Sequence, residues 1–163
     1  MKNELDQIYR EYAGDIYAYA LSICRNEAMA QDILQDTMLK AVTSYDTFRG
    51  DCSVKSWLCA IAKNLCLNAM KRADNNNLPV EETVVPYPDN IEQQLSDNDT
   101  AMRIHKHLHS LDEPYREVFS LRVFAELKFD DIGKIFSKSG NWARVTFFRA
   151  KEKLIQLTKE EDL

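Results

Sequence analysis

A chain of 163 residues has room for one ordinary domain or two small ones, and its 45% hydrophobic and 29% charged residues suit packed modules with watery surfaces. No run approaches the roughly 18 consecutive apolar residues of a membrane span, and the start, Met1-Lys2-Asn3-Glu4, lacks a signal-peptide apolar core, so a cytoplasmic location is expected. The net charge of −5 disfavours nucleic-acid binding only until it is divided: residues 1–72 sum to zero, residues 73–99 carry seven acidic groups and no Lys or Arg, and residues 100–163 sum to +2.

Only four Gly and four Pro interrupt the chain, and helical spacing dominates. Leu5, Ile8, Tyr12, Ile16, Tyr19 and Ile23 step by three or four and predict a first helix. Leu34, Met38, Ala41 and Tyr45 repeat that spacing on a second. Asp32, Gln35, Asp36 and Leu39 share the opposite face, which by itself reads as an acidic surface. The turn Phe48-Arg49-Gly50-Asp51-Cys52 follows. Ser53 can cap a third helix, whose stripe runs Val54, Trp57, Leu58, Ile61, Leu65 and Asn68. Cys24, Cys52, Cys59 and Cys66 form no CxxC pair, and the last three recur every seven residues along one helix face. Free, partly buried thiols are expected; a redox sensor is the alternative, but no neighbour lowers a thiol pKa convincingly.

Residues 73–90 break the pattern. Asn75-Asn76-Asn77, Pro79, Pro86 and Pro88, with Glu81 and Glu82, read as an extended acidic linker. Helical spacing returns at Ile91, Leu95, Met102, Ile104 and Leu108, and Asp112 and Pro114 mark a further helix start. His105, His107 and His109 alternate, and only positions 105 and 109 share a helix face, so they read as surface histidines and not as a metal site.

The stretch from Phe129 to Leu154 carries the most information in the second half. Phe129, Ile132, Ile135 and Phe136 make a short amphipathic helix, and Ser137-Lys138-Ser139-Gly140 a turn with Ser139 as the next cap. Ala143, Phe147, Ala150 and Leu154 point inward on the following helix, leaving Arg144, Val145, Phe148, Arg149 and Lys151 outside or flanking. A short helix, a tight turn and a basic second helix suit insertion into the DNA major groove, where Arg pairs with guanine and an apolar side chain meets a thymine methyl. A plain helical hairpin with a solvated basic face is the alternative.

The N-terminal half narrows the choice among DNA-binding proteins. The run Ala30-Gln31-Asp32-Ile33-Leu34-Gln35-Asp36-Thr37-Met38-Leu39-Lys40-Ala41 resembles the polymerase-binding helix of sigma factors. Phe48-Arg49-Gly50-Asp51, Ser56-Trp57-Leu58, Ile61-Ala62-Lys63-Asn64 and Lys71-Arg72 resemble the promoter-melting segment of the extracytoplasmic-function group of the sigma-70 family. The run from Leu111-Asp112-Glu113-Pro114 through Leu154 resembles that group's minus-thirty-five-reading domain. Asn141-Trp142-Ala143 stands where the group more commonly has Gly-Thr-Val, and Ser137 where it usually has Gly.

The resemblance implies an all-α chain with a region 2 domain at 1–72, an acidic linker at 73–99 and a region 4 helix-turn-helix domain at 100–163. It implies that Asp32, Gln35, Asp36 and Leu39 contact core RNA polymerase. It implies a pocket for a flipped minus-ten base at Phe48, Arg49, Gly50, Asp51, Cys52, Ser53 and Asn64, with Lys55 and Lys63 offsetting phosphate charge. It implies minus-thirty-five contacts from Lys138, Asn141, Trp142, Arg144, Val145, Phe148, Arg149 and Lys151, with Trp142 at the DNA backbone. The linker would thread towards the polymerase cleft and RNA exit channel. Implied partners are core polymerase, promoter DNA as duplex and single strand, and an anti-sigma factor that can hold the chain at the inner membrane face. Trp57 reads as core packing in preference to base stacking. No nucleophile–base pair, phosphate-cradling Gly loop or metal cluster can be assembled, so neither an enzyme nor a cofactor is expected. A helix-turn-helix regulator that binds duplex DNA without polymerase is the competing reading, and it leaves the Asp32-Gln35-Asp36 face without a role.

Overall fold

The computed structural model describes residues 2–50, 52–75 and 107–161, without the side chains of residues 2, 3, 74, 75 and 161. The chain divides into two compact units, Met1–Val84 and Val85–Leu163. Among the described residues every regular element is helical. The expected linker lies outside the described residues from position 76 onward, as do the helical spacing at 91–104 and His105.

In the first unit, α1 (Lys2–Cys24), α2 (Glu27–Ser44) and α3 (Val54–Asn75) each pack against the other two, and a short 3₁₀ turn, Tyr45–Thr47, follows α2. The expected stripe of α1 deepens along its length: Leu5, Ile8 and Tyr12 are half-buried, whereas Ile16, Tyr19 and Ile23 are fully enclosed. The helix stops where Arg25 turns to φ 52°, and the Arg25 N–H closes on the Leu21 carbonyl at 2.8 Å. Asn26 then caps α2 at once, its Oδ1 accepting from the Met29 N–H at 2.9 Å. Two residues thus separate α1 from α2, and they pack as antiparallel neighbours.

Ser53 caps α3 as expected: its Oγ accepts from the Ser56 N–H at 3.1 Å. The buried line of α3 differs from the expected stripe. Of that stripe only Leu58 is enclosed; Val54, Trp57, Ile61 and Leu65 are half-buried and Asn68 is exposed. The enclosed line is Cys59, Ala62, Cys66 and Ala73. Small side chains permit close helix contact, so here they occupy the tight seam while the larger apolar groups flank it. The helix runs on to Asn75.

In the second unit, α4 (Tyr115–Val123), α5 (Phe129–Ile135) and α6 (Gly140–Glu161) form one core, to which α4 contributes Val118, Phe119 and Leu121. Glu113 organises the start of α4. Its carboxylate accepts from the Glu117 N–H at 3.3 Å and from Arg116 Nε at 2.8 Å. The chain leaves α4 through Glu126 at φ 56°, and Arg122 donates to the Leu127 carbonyl at 2.9 Å. The α5–α6 turn is tighter still. Ser137 sits at φ 57°, and the Lys138 N–H bonds the Gly133 carbonyl at 2.7 Å. A Cβ on Gly133 would lie 2.5 Å from the Ser139 carbonyl oxygen and 2.8 Å from that of Lys138. Ser139 caps α6, accepting from the Trp142 N–H at 3.0 Å.

The turn predicts two opposite effects on stability. Gly133→Ala forces backbone apart and should cost about 1–3 kcal/mol, whereas Ser137→Gly relieves a left-handed residue and should gain about 0.5–1 kcal/mol. Urea unfolding of each variant measures both; equal midpoints for wild type and Gly133→Ala would contradict the close approach.

Candidate nucleic-acid interface

The first unit presents two exposed features. On α2, Asp32, Gln35, Asp36 and Leu39 all face solvent, opposite the buried Ile33, Leu34, Thr37 and Ala41. Neither carboxylate forms an ion pair among the described residues. Leu39 is 63% exposed, and Val42, one turn on and absent from the expectation, is 48% exposed. The face is therefore acidic at one end and apolar at the other, which suits a protein partner that offers both a cation and an apolar groove.

The second feature is the loop at 48–53. Phe48 is half-buried and stacks on Trp57 of α3, ring centroids 4.9 Å apart, and its N–H bonds the Tyr45 carbonyl at 3.1 Å. The Thr47 hydroxyl donates to the Ser44 carbonyl at 2.6 Å. Gly50 takes φ 76°, a conformation that a Cβ would strain although the space around it is open. Asp51 lies outside the described residues. Arg49 and Ser53 are exposed and Cys52 is half-buried. The loop is thus held at both ends, by Phe48 on Trp57 and by Ser53 in its cap.

Asn64 is exposed on α3, two turns beyond Trp57 on the same helix face. Its amide offers two donors and an acceptor. Lys55 pairs with Asp15 of α1 at 3.2 Å, so part of its charge is already neutralised. Lys63 is half-buried.

In the second unit, α6 turns Asn141, Arg144, Val145, Phe148 and Arg149 outward, and Lys138 is exposed in the turn before it. Lys151 is half-buried. Trp142 is half-buried as well and packs on Phe136 at 5.3 Å, so its ring braces the turn. Beneath the outer face, Phe147 contacts Phe119 and Phe129 at 5.6 Å each, which ties α6 to α4 and α5. Phe148 remains 50% exposed despite touching Phe147 and Phe129.

Two cations missed by the sequence reading border this surface. Arg122, Lys128 and Arg144 line one open groove with Phe129, Asp130, Gly140 and Asn141. Arg122 lies over the Phe129 ring at 4.2 Å, which fixes its guanidinium. Both precede α6 in sequence, and only the fold brings them to its first turn. A second groove, lined by Arg144, Val145, Phe148, Arg149 and Glu152, continues along the helix.

The cysteines are free thiols, three of them buried. Burial pushes the Cys59 thiol up to about 12 from the ordinary 9.0, with Lys55 opposing and Asp15 reinforcing the shift. About one thiol in ten thousand is then ionised at pH 8. Alkylation at pH 8 should reach Cys52 first and leave Cys59 untouched until the protein unfolds. The folded state holds this proton more tightly than the unfolded state, so the contribution is complete below pH 9 and is lost between about 9 and 12. Peptide mapping after timed alkylation checks this; early labelling of Cys59 would contradict it.

Residues 8–76 match the family Sigma-70 region 2. The chain is 28% identical over 152 residues to the RNA polymerase sigma factor SigV of Bacillus subtilis, covering 93% of this chain and 89% of that one. It is 25% identical over 162 residues to the ECF RNA polymerase sigma factor SigM of the same organism, covering 92% of each. Its fold resembles the sigma factor RpoE of Bartonella quintana, solved in complex with the anti-sigma factor NepR, at a TM-score of 0.74 and 24% identity over 96% of this chain and 97% of that one. It also resembles CnrH, solved with the cytosolic domain of CnrY, at 0.72 and 19% identity, over 98% and 90% of the two chains.

Proposed function

Because the chain is a sigma factor of the sigma-70 family, of the extracytoplasmic-function type, we propose that it binds core RNA polymerase and directs promoter-specific initiation of transcription, as a regulatory subunit with no catalysis of its own. Residues 1–72 dock the polymerase and open the minus-ten element, residues 100–163 read the minus-thirty-five duplex, and the acidic segment 73–99 runs between them. The observation that carries this reading is the exposed α2 face of Asp32, Gln35, Asp36 and Leu39, a docking surface for which a free duplex-binding regulator has no use.

The chemistry of each surface fits its part. An acidic–apolar helix face suits a helical partner with basic and apolar side chains. A loop held at both ends beside an exposed amide suits a single flipped base, whose unstacking costs a few kcal/mol and needs a fitted pocket. An outward array of Arg and apolar groups suits the major groove. An anti-sigma factor is the regulatory partner, as it is for the sigma factor RpoE of the solved complex. No helix among the described residues is long and apolar enough to cross a membrane; we place the protein in the cytoplasm, held at the membrane only through that partner.

Adding the chain to core polymerase should produce promoter-directed transcripts; promoter binding without any polymerase association would instead favour the free regulator. Replacing Asp32 and Asp36 together with Lys should weaken core binding by about tenfold or more, while each exposed change alters stability by less than about 0.5 kcal/mol. Titration against core polymerase measures this, and unchanged affinity would remove α2 from the contact.

Asn64→Ala should impair promoter opening more than closed-complex binding. Permanganate reactivity of unpaired thymines reports the opening step, and a promoter pre-melted across its minus-ten region separates opening from base reading. Wild-type reactivity on both templates would remove Asn64 from the mechanism.

A further inference from the structure

The groove beside the first turn of α6 holds one carboxylate among three cations, and the packing keeps it from pairing with them. Arg122, Lys128 and Arg144 line that groove together with Asp130. Arg122 lies over the Phe129 ring at 4.2 Å and donates to the Leu127 carbonyl at 2.9 Å. Arg144 Nη2 donates to Asn141 Oδ1 at 2.7 Å. Both guanidiniums are thus oriented by neutral partners, and their charge stays whole. Asp130 is exposed and forms no ion pair among the described residues.

The place of this carboxylate is set by Gly140, the first residue of α6. A Cβ there would run into the Asp130 carboxylate and lie 3.1 Å from Asp130 Cα. The missing side chain therefore makes room for a negative charge at the positive end of the α6 dipole. An anion arriving at that end meets three cations, and also a carboxylate that already stands there. Asp131, its neighbour in the first turn of α5, carries the same charge but does not line the groove.

We propose that Asp130 is a built-in competitor of DNA phosphate. It holds the affinity of the second unit for any duplex below what Arg122, Lys128 and Arg144 would give, so that the free chain stays off DNA at concentrations where holoenzyme occupies a promoter. This rests on the reading of the second unit as the duplex reader, and adds the residue that limits its sequence-independent affinity. Two like charges a few ångströms apart in a partly wet groove repel enough to shift affinity several-fold, and salt screens the repulsion.

The test uses the full chain without polymerase and a labelled duplex of non-promoter sequence, followed by anisotropy over a salt series. Asp130→Asn keeps the shape of the side chain and removes its charge. It should bind about threefold or more tighter than wild type at low salt, with the difference shrinking as salt rises. Asp131→Asn, which removes the same charge outside the groove, should stay near wild type. Holoenzyme carrying Asp130→Asn should gain alike on promoters that differ in their minus-thirty-five sequence, because a phosphate carries no base identity. Equal gains in Asp130→Asn and Asp131→Asn would overturn the proposal, since the charge of the whole chain and not the groove would then set affinity. Unchanged DNA affinity in Asp130→Asn would overturn it too, and a lowered urea midpoint in that variant would leave the carboxylate a helix-dipole role alone. Wild-type holoenzyme indifferent to the minus-thirty-five sequence would overturn the duplex reading itself, a failure distinct from a variant that gains nothing.

Discussion

A side chain at position 133 would occupy the space held by the Ser139 and Lys138 carbonyls, and the second unit is built around its absence. With only hydrogen there, the chain turns back against α5 within a few residues, and the Lys138 N–H reaches the Gly133 carbonyl. That closure forces Ser137 into the left-handed region and delivers Ser139 to the start of α6 as its cap. The same tightness recurs at Gly140, where a Cβ would run into the Asp130 side chain. Two glycines, one in α5 and one opening α6, thus set how closely the two helices meet, and with it the direction in which Asn141, Arg144 and Phe148 point. The aromatic contacts of Phe147 and Phe129 then hold an angle that the backbone has already chosen.

The first unit meets a similar demand with side chains that are small without being absent. Cys59, Ala62, Cys66 and Ala73 line the α3 seam, and their volume lets three helices share a narrow core. The cost falls on the larger groups, which move to the flank. Trp57 is one of them, and it is covered by Phe48 from the loop. A residue displaced from the helical core in this way becomes the anchor of the loop at 48–53. Packing and loop geometry are therefore coupled at Trp57, and the buried Cys59, its thiol pushed up by burial, belongs to that packing.

Local signals were legible because their causes are local. Ser53 and Ser139 read as caps, since a hydroxyl just ahead of a helical pattern satisfies an N–H two or three residues on, and both hydrogen bonds form. The outward set on α6 followed from period alone, because α6 has one wide buried side and its partners lie close in sequence. The α3 seam departs from the apolar stripe because close helix contact selects fit over apolar size: Cys and Ala take the seam, and the bulky positions lie beside it. That Lys55 is paired with Asp15 on another helix carried no signal in its own stretch of sequence. Arg122 and Lys128 gave no signal, because the groove they share with Arg144 exists only once α4, α5 and α6 are assembled. What depends on distant segments meeting had no trace in the periodicity of either.

The charge of the chain shows the same separation of local from global. A net −5 describes a molecule that duplex DNA should repel. At physiological ionic strength exposed charges are screened beyond about 8 Å, so a phosphate senses the groups beside it and not the sum over the chain. Beside the first turn of α6 those groups are Arg122, Lys128 and Arg144 against a single Asp130. Arg122 is held by the Leu127 carbonyl and the Phe129 ring, contacts that orient its guanidinium and leave its charge intact. Charge that is fixed in place and unneutralised attracts a polyanion more effectively than mobile charge of the same sign, because less side-chain entropy is lost on contact. The acidic excess in the sum comes from residues 73–99, which carry seven acidic groups without one Lys or Arg. Overall acidity and a DNA-reading surface are therefore compatible in one chain, provided that the two signs are segregated along it.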